Sequence, residues 1–545
     1  MKNMIILAGI ACAMVTFTAC EDQLDVVQHG AVSSEAFYSN DQECLEGLSA
    51  LYKDLELSWP VNDGHLGMAI SDDCYAGGGS RGNDASWEQL NELTFEANNS
   101  YVKNAFQTYY NTVYRANMLI GHCTGGTSLQ NRIVNEAKVV RAFTYLRLAC
   151  YYGDAPLILN EVTDGSYQFP VSSRAELFAQ IEKDLEEAIA SGTLLEKSSV
   201  ADQVVNVTKQ TAQALLGKVY VYESTFLGTD RWADARQMLE AVINSGKYAL
   251  VDVAHYQDMF HNDGRFSTES LFETNRILDA QNLVRVWMTY RQGFRVNNVD
   301  QTQLKAAAAA GLINNTYSQG YFNATIDLYN TFVELEGENG ARLHQVLMPY
   351  KDMVQMPLCL GKQKSFYGTE GIMMTKLAAR DNERITNHMY GQDIVFLRYA
   401  DVLLLAAEAN LPAHGGNQAK CDDYMNQVKQ RAGELSMPGN YTLADIQKER
   451  RVELCFEGSR YFDLVRWGII AEVYKDKGKR IPAVYGLWDQ SDNTGNELHE
   501  NVQGYNVGYF VNNSHHGWMD RYAVLPIPQD ELNVNPLIEQ NALWK

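Results

Sequence analysis

The sequence predicts a mostly α-helical fold with an irregular, loop-rich middle, and three observations lead there. Apolar residues recur at three- and four-residue intervals over long stretches at both ends of the chain. Residues 255–395 lose that period and are rich in Gly, Asn, Tyr and Met. A second irregular stretch, 59–100, carries the run Gly77-Gly78-Gly79 and several aromatics. The helices read as a scaffold on which these two regions are mounted, and loops on a rigid frame are where binding residues concentrate.

The first element is a leader. Lys2 precedes an apolar run over residues 4–17, shorter than the roughly 20 residues that a membrane-spanning helix needs, so it reads as the hydrophobic part of a signal peptide. Phe17-Thr18-Ala19-Cys20 places small residues before a cysteine and resembles the bacterial lipobox, in which the thiol is acylated and becomes the first mature residue. Residues 1–19 are therefore expected to be a lipoprotein signal peptide, Cys20 the lipidation site, and 20–545 a single domain. Glu21-Asp22 resembles the surface-export signal of lipoproteins in the Bacteroides group.

The formal charge is -22, and loss of Lys2 makes it more negative. Such a chain repels polyanions, which argues against nucleic acid as a partner. Nine cysteines become seven once Cys12 is removed and Cys20 is lipidated, and none forms a CxxC pair. The odd count argues against a complete disulfide framework, and the thiols read as small buried apolar groups. Thirty-one tyrosines and eight tryptophans leave aromatics for a binding surface.

The helices follow in order. Residues 101–122 place Phe106, Tyr109, Tyr110, Val113 and Asn117 on one face, and 130–151 do so through Ile133, Ala137, Val140, Ala142, Tyr145 and Leu148. Gly153-Asp154-Ala155-Pro156 breaks the second, and another helix spans about 173–191. Residues 208–246 form a helical hairpin with small residues at its crossing and resemble a tetratricopeptide unit. A second hairpin covers 398–432, and about four such degenerate pairs are expected. In the middle, Ser270-Leu271-Phe272-Glu273 reads as a strand.

The most specific string is IQKERRVELCFEGSRYFDLVRWG at 446–468. It sets Glu449, Glu453 and Glu457 at four-residue spacing, where like charges repel, with Arg450, Arg451, Arg460 and Arg466 as nearby counter-charges. Paired carboxylates suggest glycoside hydrolysis. Arginines depress a carboxylate pKa, however, whereas a glycosidase's general acid needs a raised one. A structural ion network is the expectation, and the chain is not read as an enzyme.

This string resembles the SusD/RagB family of outer-membrane nutrient-binding lipoproteins. Glu136-Ala137 to Arg141-Ala142 with YYGDAP at 151–156, LRYADVLLLAAEA at 397–409, and Leu525-Pro526-Ile527-Pro528 with Asn535-Pro536 and Gln540-Asn541 also match it in order. The resemblance implies a SusD-like fold with tetratricopeptide-like pairs and short strands, lipid-anchored at the outer membrane and facing outward. It implies no cofactor and no chemistry, with oligosaccharide captured for a SusC-like TonB-dependent transporter. Peptide or other nutrient capture by a RagB-like member and a purely structural lid are the alternatives.

Family ligand sites carry no fixed motif. Around the glycine run, taken as flexible, Asp73, Tyr75, Arg81, Asn83 and Trp87 offer a stacking face beside hydrogen-bonding groups, with Asp72 adjacent. Asp73, Arg81 and Trp87 match the early-loop site of glycan-binding members in kind and approximate location. A phosphate-loop reading fails because no Lys-Ser/Thr pair follows the glycines. Trp287, Tyr290 and Tyr321, with Arg291 and Tyr317, are expected to extend the platform. His515-His516 and Trp518 do not support a metal site, since adjacent strand residues face opposite ways.

Overall fold

The structure, a computed structural model, describes residues 37–163, 165, 168–275, 292, 293, 295, 300–311, 316, 318–352, 366–386, 389–487, 498–512 and 517–545. The leader, Cys20, Trp287, Tyr290, Arg291, Tyr317 and His515-His516 lie outside the described residues.

The helices discussed below are α1 (Asp41–Leu57), α2 (Ala85–Asn91), α3 (Ser100–His122), α4 (Ser128–Tyr151), α5 (Arg174–Ala190) and α6 (Lys209–Phe226). They continue with α7 (Trp232–Asn244), α8 (Tyr399–Ala409), α9 (Gln418–Ala432), α10 (Leu443–Leu454) and α11 (Arg460–Arg466). Most of the long helices begin where a short polar side chain can take amides that the first turn leaves unpaired. Asn99 accepts from the Tyr101 and Val102 amides ahead of α3, and Thr127 accepts from Gln130 ahead of α4. Ser173 and Glu176 cap α5 reciprocally. After α4, Gly153 takes φ +74° and turns the chain into the short pairing of Ala155-Pro156 with Val171-Ser172.

From α3 to α9 each of these helices packs on the next. The two hairpins read from the sequence are α6–α7 and α8–α9. At the first crossing a Cβ on Gly217 would lie 2.5 Å from Leu239 Cγ, so only glycine lets the helices approach this closely. The periodic faces point inward: Phe106, Tyr109, Val113, Ile133, Val140 and Leu148 are all buried. Helix α8 is buried along its whole length, as its nearly uninterrupted apolar sequence requires.

Short antiparallel strands organise the rest: β1 (Cys74–Gly77), β2 (Ser270–Glu273), β3 (Tyr321–Ala324), β4 (Phe366–Tyr367), β5 (Val395–Arg398), β6 (Arg480–Leu487), β7 (Leu498–Val502) and β8 (Tyr505–Val511). β1 pairs with β3 and β2 with β5, while β7-β8-β6-β4 form one sheet. The strand expected at Ser270–Glu273 is β2. The four-stranded sheet has no counterpart in the sequence reading. Its Tyr505, Val507 and Tyr509 pack with Tyr350, Phe366 and Val484 in a second, smaller core.

Candidate functional site

Strand register brings together two stretches that the sequence singled out separately. Tyr75 stands opposite Asn323 and Gly77 opposite Tyr321. Beyond β1, the Gly78 amide donates to the Gly320 carbonyl at 2.8 Å, and Gly78 bridges to Tyr367. The glycine run is not the flexible loop expected from sequence, because close backbone packing fixes it. Gly77 and Gly78 take φ +63° and +107°, and a Cβ on Gly368 would fall 2.4 Å from Gly77 Cα. Only glycine tolerates both conditions.

The loop that follows is held by its own polar groups. The Gly79 amide donates to Asn83 Oδ1 at 2.7 Å, and the Gly82 amide donates to both Glu88 carboxylate oxygens at 2.8 and 3.0 Å. Asp84 caps α2 by accepting from the Trp87 amide, and it also accepts from the Tyr101 hydroxyl at 2.9 Å. Arg81 forks onto Glu92 at 2.7 and 2.8 Å and donates to the Tyr367 hydroxyl at 3.3 Å. Its side chain stays 45% exposed, and Asn83 is exposed beside it. Arg295 adds a second guanidinium, donating to the Gln319 carbonyl at 3.2 Å.

Three expected contacts, Trp87, Asp73 and Tyr321, are corrected here. Trp87 is 0% exposed. Its ring stacks under Tyr101 at 4.7 Å and meets Tyr321 and Phe322 edge-on at 5.1 and 4.9 Å, leaving no face for a ligand. The cause is local: α2 has barely two turns and needs Trp87 and Leu90 on its buried side. Asp73 is also buried, accepting from Arg451 Nε at 3.0 Å. Burial, with the neighbouring Asp72 charge, pushes its carboxyl up. Tyr321 is nearly buried beneath Gly78, and half-buried Tyr75 has its hydroxyl raised by burial and by Glu370.

Sequence reasoning missed Tyr101, Tyr367 and Arg295. Tyr101 opens a helix that reads as scaffold, Tyr367 reaches the loop only through its bridge to Gly78, and Arg295 only by packing against Gly79 and Gly320. Beneath them Phe322 adopts φ +57°, with its ring 4.8 Å from that of His65. A left-handed phenylalanine costs about 1–3 kcal/mol and persists only where its surroundings dictate it. The surface above thus carries guanidinium, amide and phenol groups held in fixed positions, equipment for binding a polyhydroxylated ligand by hydrogen bonds. Among the described residues, no group of three or more His, Cys, Asp or Glu could hold a metal ion.

The clustered carboxylates form an internal network, but with other partners than the neighbouring arginines expected. Arg342 holds Glu336, Glu434, Glu449 and Glu453 at 2.7–2.8 Å. Arg398 holds Glu269 and Glu453 at 2.6 Å and Glu457 at 2.8 Å. Arg431 also binds Glu453, and Lys376 binds Glu457. Arg450 and Arg451 turn about 100° per residue away from Glu449 and pair elsewhere: Arg450 with Asp401 and Asp463, and Arg451 with Asp72, Asp73 and Asp327. Arg460 takes Asp72, and Arg466 takes Glu408 and Asp463.

Burial alone would raise the Glu453 carboxyl, yet the guanidiniums of Arg431, Arg398 and Arg342 hold it well below the usual range. Glu449 and Glu453 are buried. Glu457 borders a cavity of about 40 Å³, too small for a sugar ring. No acid–base pair faces an open cleft here.

A sequence model described as the SusD family matches residues 256–544. The chain belongs to the SusD family. A second model, described as starch-binding associating with outer membrane, matches residues 64–221. Among SusD-like relatives, protein P38 of Formosa agariphila is 23% identical over 501 residues, covering 87% of this chain and 93% of that one. A laminarin binding SusD-like protein of known structure superposes with a TM-score of 0.72 at 24% identity, covering 92% and 99% of the two chains. The surface glycan-binding protein A of Bacteroides thetaiotaomicron, solved in complex with laminarihexaose, gives 0.69 at 21% identity, with 92% and 99% covered. The SusD-like fold therefore spans nearly the whole chain.

Proposed function

We propose that this chain is a non-catalytic, outer-membrane lipoprotein, anchored through Cys20, that captures oligosaccharides at the cell surface and passes them to a SusC-like TonB-dependent transporter. Residues 20–545 act as one unit in this reading. The observation that carries it is the exposed, rigidly held Arg81–Asn83 loop on a fold shared along its length with proteins named for glycan binding. Arg81 and Asn83 form the hydrogen-bonding part of the site, Tyr75 and Tyr101 its rim, and Trp287 and Tyr290 the stacking platform. Tyr321 supports the loop from below. Those neighbours favour oligosaccharide over peptide.

The ion network speaks against chemistry, because it leaves Glu449 and Glu453 neither accessible nor able to act as acids near neutral pH. A glycan array on the purified chain, followed by calorimetry on any hit, tests the reading. Binding that Arg81→Ala weakens is the expected result. An array with no hit, or a hit indifferent to both Arg81→Ala and Asn83→Ala, would remove the loop from the site.

A further inference from the structure

Six cysteines are described, all with free thiols and all buried. Two of them face each other across an antiparallel helix contact whose register can be read from both sides. On α1 and α3, a Cβ at Gly47 would lie 2.9 Å from Leu119 Cδ2. One turn back on α1 and one turn on along α3 stand Cys44 and Cys123. Beyond them, Thr127, which follows the loop after α3 and caps α4, donates its Oγ1 hydrogen to Asp41 Oδ1 at the start of α1 at 2.8 Å. The ladder Gly47–Leu119, Cys44–Cys123, Asp41–Thr127 therefore closes on both sides of the cysteines. Tyr38 covers the pair, its ring stacked on His122 at 5.8 Å and its carbonyl accepting from the Cys44 thiol at 3.7 Å. Cys44 lies close enough to Cys123 to act on it electrostatically.

We infer that Cys44 and Cys123 are a disulfide site that staples α1 to the end of α3 when the chain folds in an oxidising compartment. The inference about the cell rests on the export reading; the chemistry does not. Each thiol loses its proton, one thiolate attacks a disulfide oxidant to form a mixed disulfide, and the second displaces the leaving thiolate. The Cys44–Cys123 bond forms, the oxidant's disulfide is reduced to two thiols, and electrons balance. Burial pushes both thiols up, so exchange is slow once the fold has closed, and the bond resists reductants afterwards. The odd cysteine count argued from sequence against a complete framework, and it leaves room for this single pair.

The test uses the full chain, made without export, unfolded under reducing conditions and refolded in oxidised glutathione. Peptide mapping before and after reduction is expected to show one linked peptide joining Cys44 to Cys123. The cross-link should raise Tm by about 4 °C over the reduced chain, from the loop entropy it removes in a chain of 545 residues. Cys44→Ser should abolish both the linked peptide and the reductant-dependent shift. Correctly refolded chain in which both thiols are still free, and are alkylated once it is unfolded again, would overturn the inference. A link formed in glutathione but absent from cell-derived protein would support the site and overturn the export reading instead.

Discussion

Glu453→Gln isolates the ion network with the smallest change of shape. Arg398 Nη1 and Arg431 Nη2 share one Glu453 oxygen, while Arg342 Nη1 takes the other at 2.7 Å. An amide can offer one acceptor oxygen only. If that oxygen stays with Arg398 and Arg431, the new NH₂ points at Arg342; if it flips, the NH₂ points at two guanidiniums. Either way, buried donors face donors, and removing one partner of a buried ion pair costs about 3–5 kcal/mol. Arg342 still has Glu336, Glu434 and Glu449, which places the loss near 3 kcal/mol. For a chain of 545 residues the unfolding entropy is about 1.1 kcal/mol per kelvin, so Tm should fall by about 3 °C. Differential scanning calorimetry measures this, and ligand affinity of the folded fraction should stay unchanged. A Tm unmoved by the substitution would refute the claim that these carboxylates fasten the fold.

Three further outcomes are expected. Arg81→Ala should weaken oligosaccharide binding by about 10–100-fold, the worth of a charge-assisted hydrogen bond. Its effect on stability should be about 1–3 kcal/mol, because Glu92 is buried and loses a guanidinium while keeping the Asn512 amide; calorimetric titration and thermal melts separate the two. Gly368→Ala should destabilise by about 1–3 kcal/mol, since its φ is +65° and the added Cβ meets Gly77 at 2.4 Å; a stable variant with unaltered binding would show that the strand contact does not shape the loop. Stability should also decline with rising pH. Burial and a hydrogen bond donated to the Glu449 carboxylate push Glu434 up to about 9, while Arg342 overcomes burial to hold Glu449 low. The folded pair thus keeps a proton that the unfolded chain releases near 4.5, so this contribution is full below that pH and is lost as pH climbs toward 9, by at most about 1.4 kcal/mol per unit. Urea melts should show Glu434→Gln flattening the slope between about pH 6 and 8, and an unchanged slope would count against the shared proton.

What was legible in the sequence follows from where the constraints are local. The helices of the scaffold announce themselves because α3 and α4 repeat their apolar positions for more than five turns and carry Asn99 and Thr127 as caps. The ion network was legible in kind but not in pairing. Arg342, Arg398 and Arg431 come from three other segments, and nothing in the 446–468 string specifies them. The site suffered similarly. An aromatic beside a glycine run reads equally well as platform or as core, and α2 is too short to show a periodicity that would place Trp87 inside. The contribution of Tyr367 depends on Gly78 bridging to it, a contact across almost three hundred residues. The sheet β7-β8-β6-β4 went unseen because its central strand is interrupted by Gly508 and buried on both faces over much of its length, which erases alternation.

The most direct test of binding without chemistry is to recover the ligand. An oligosaccharide identified on the array is held at saturating concentration with the purified wild-type chain for many hours, then analysed by mass spectrometry alongside a calorimetric titration. A saturable isotherm with saccharide returned at its original mass is the predicted result. Shortened chains or new reducing ends, lost in Glu453→Gln, would contradict it.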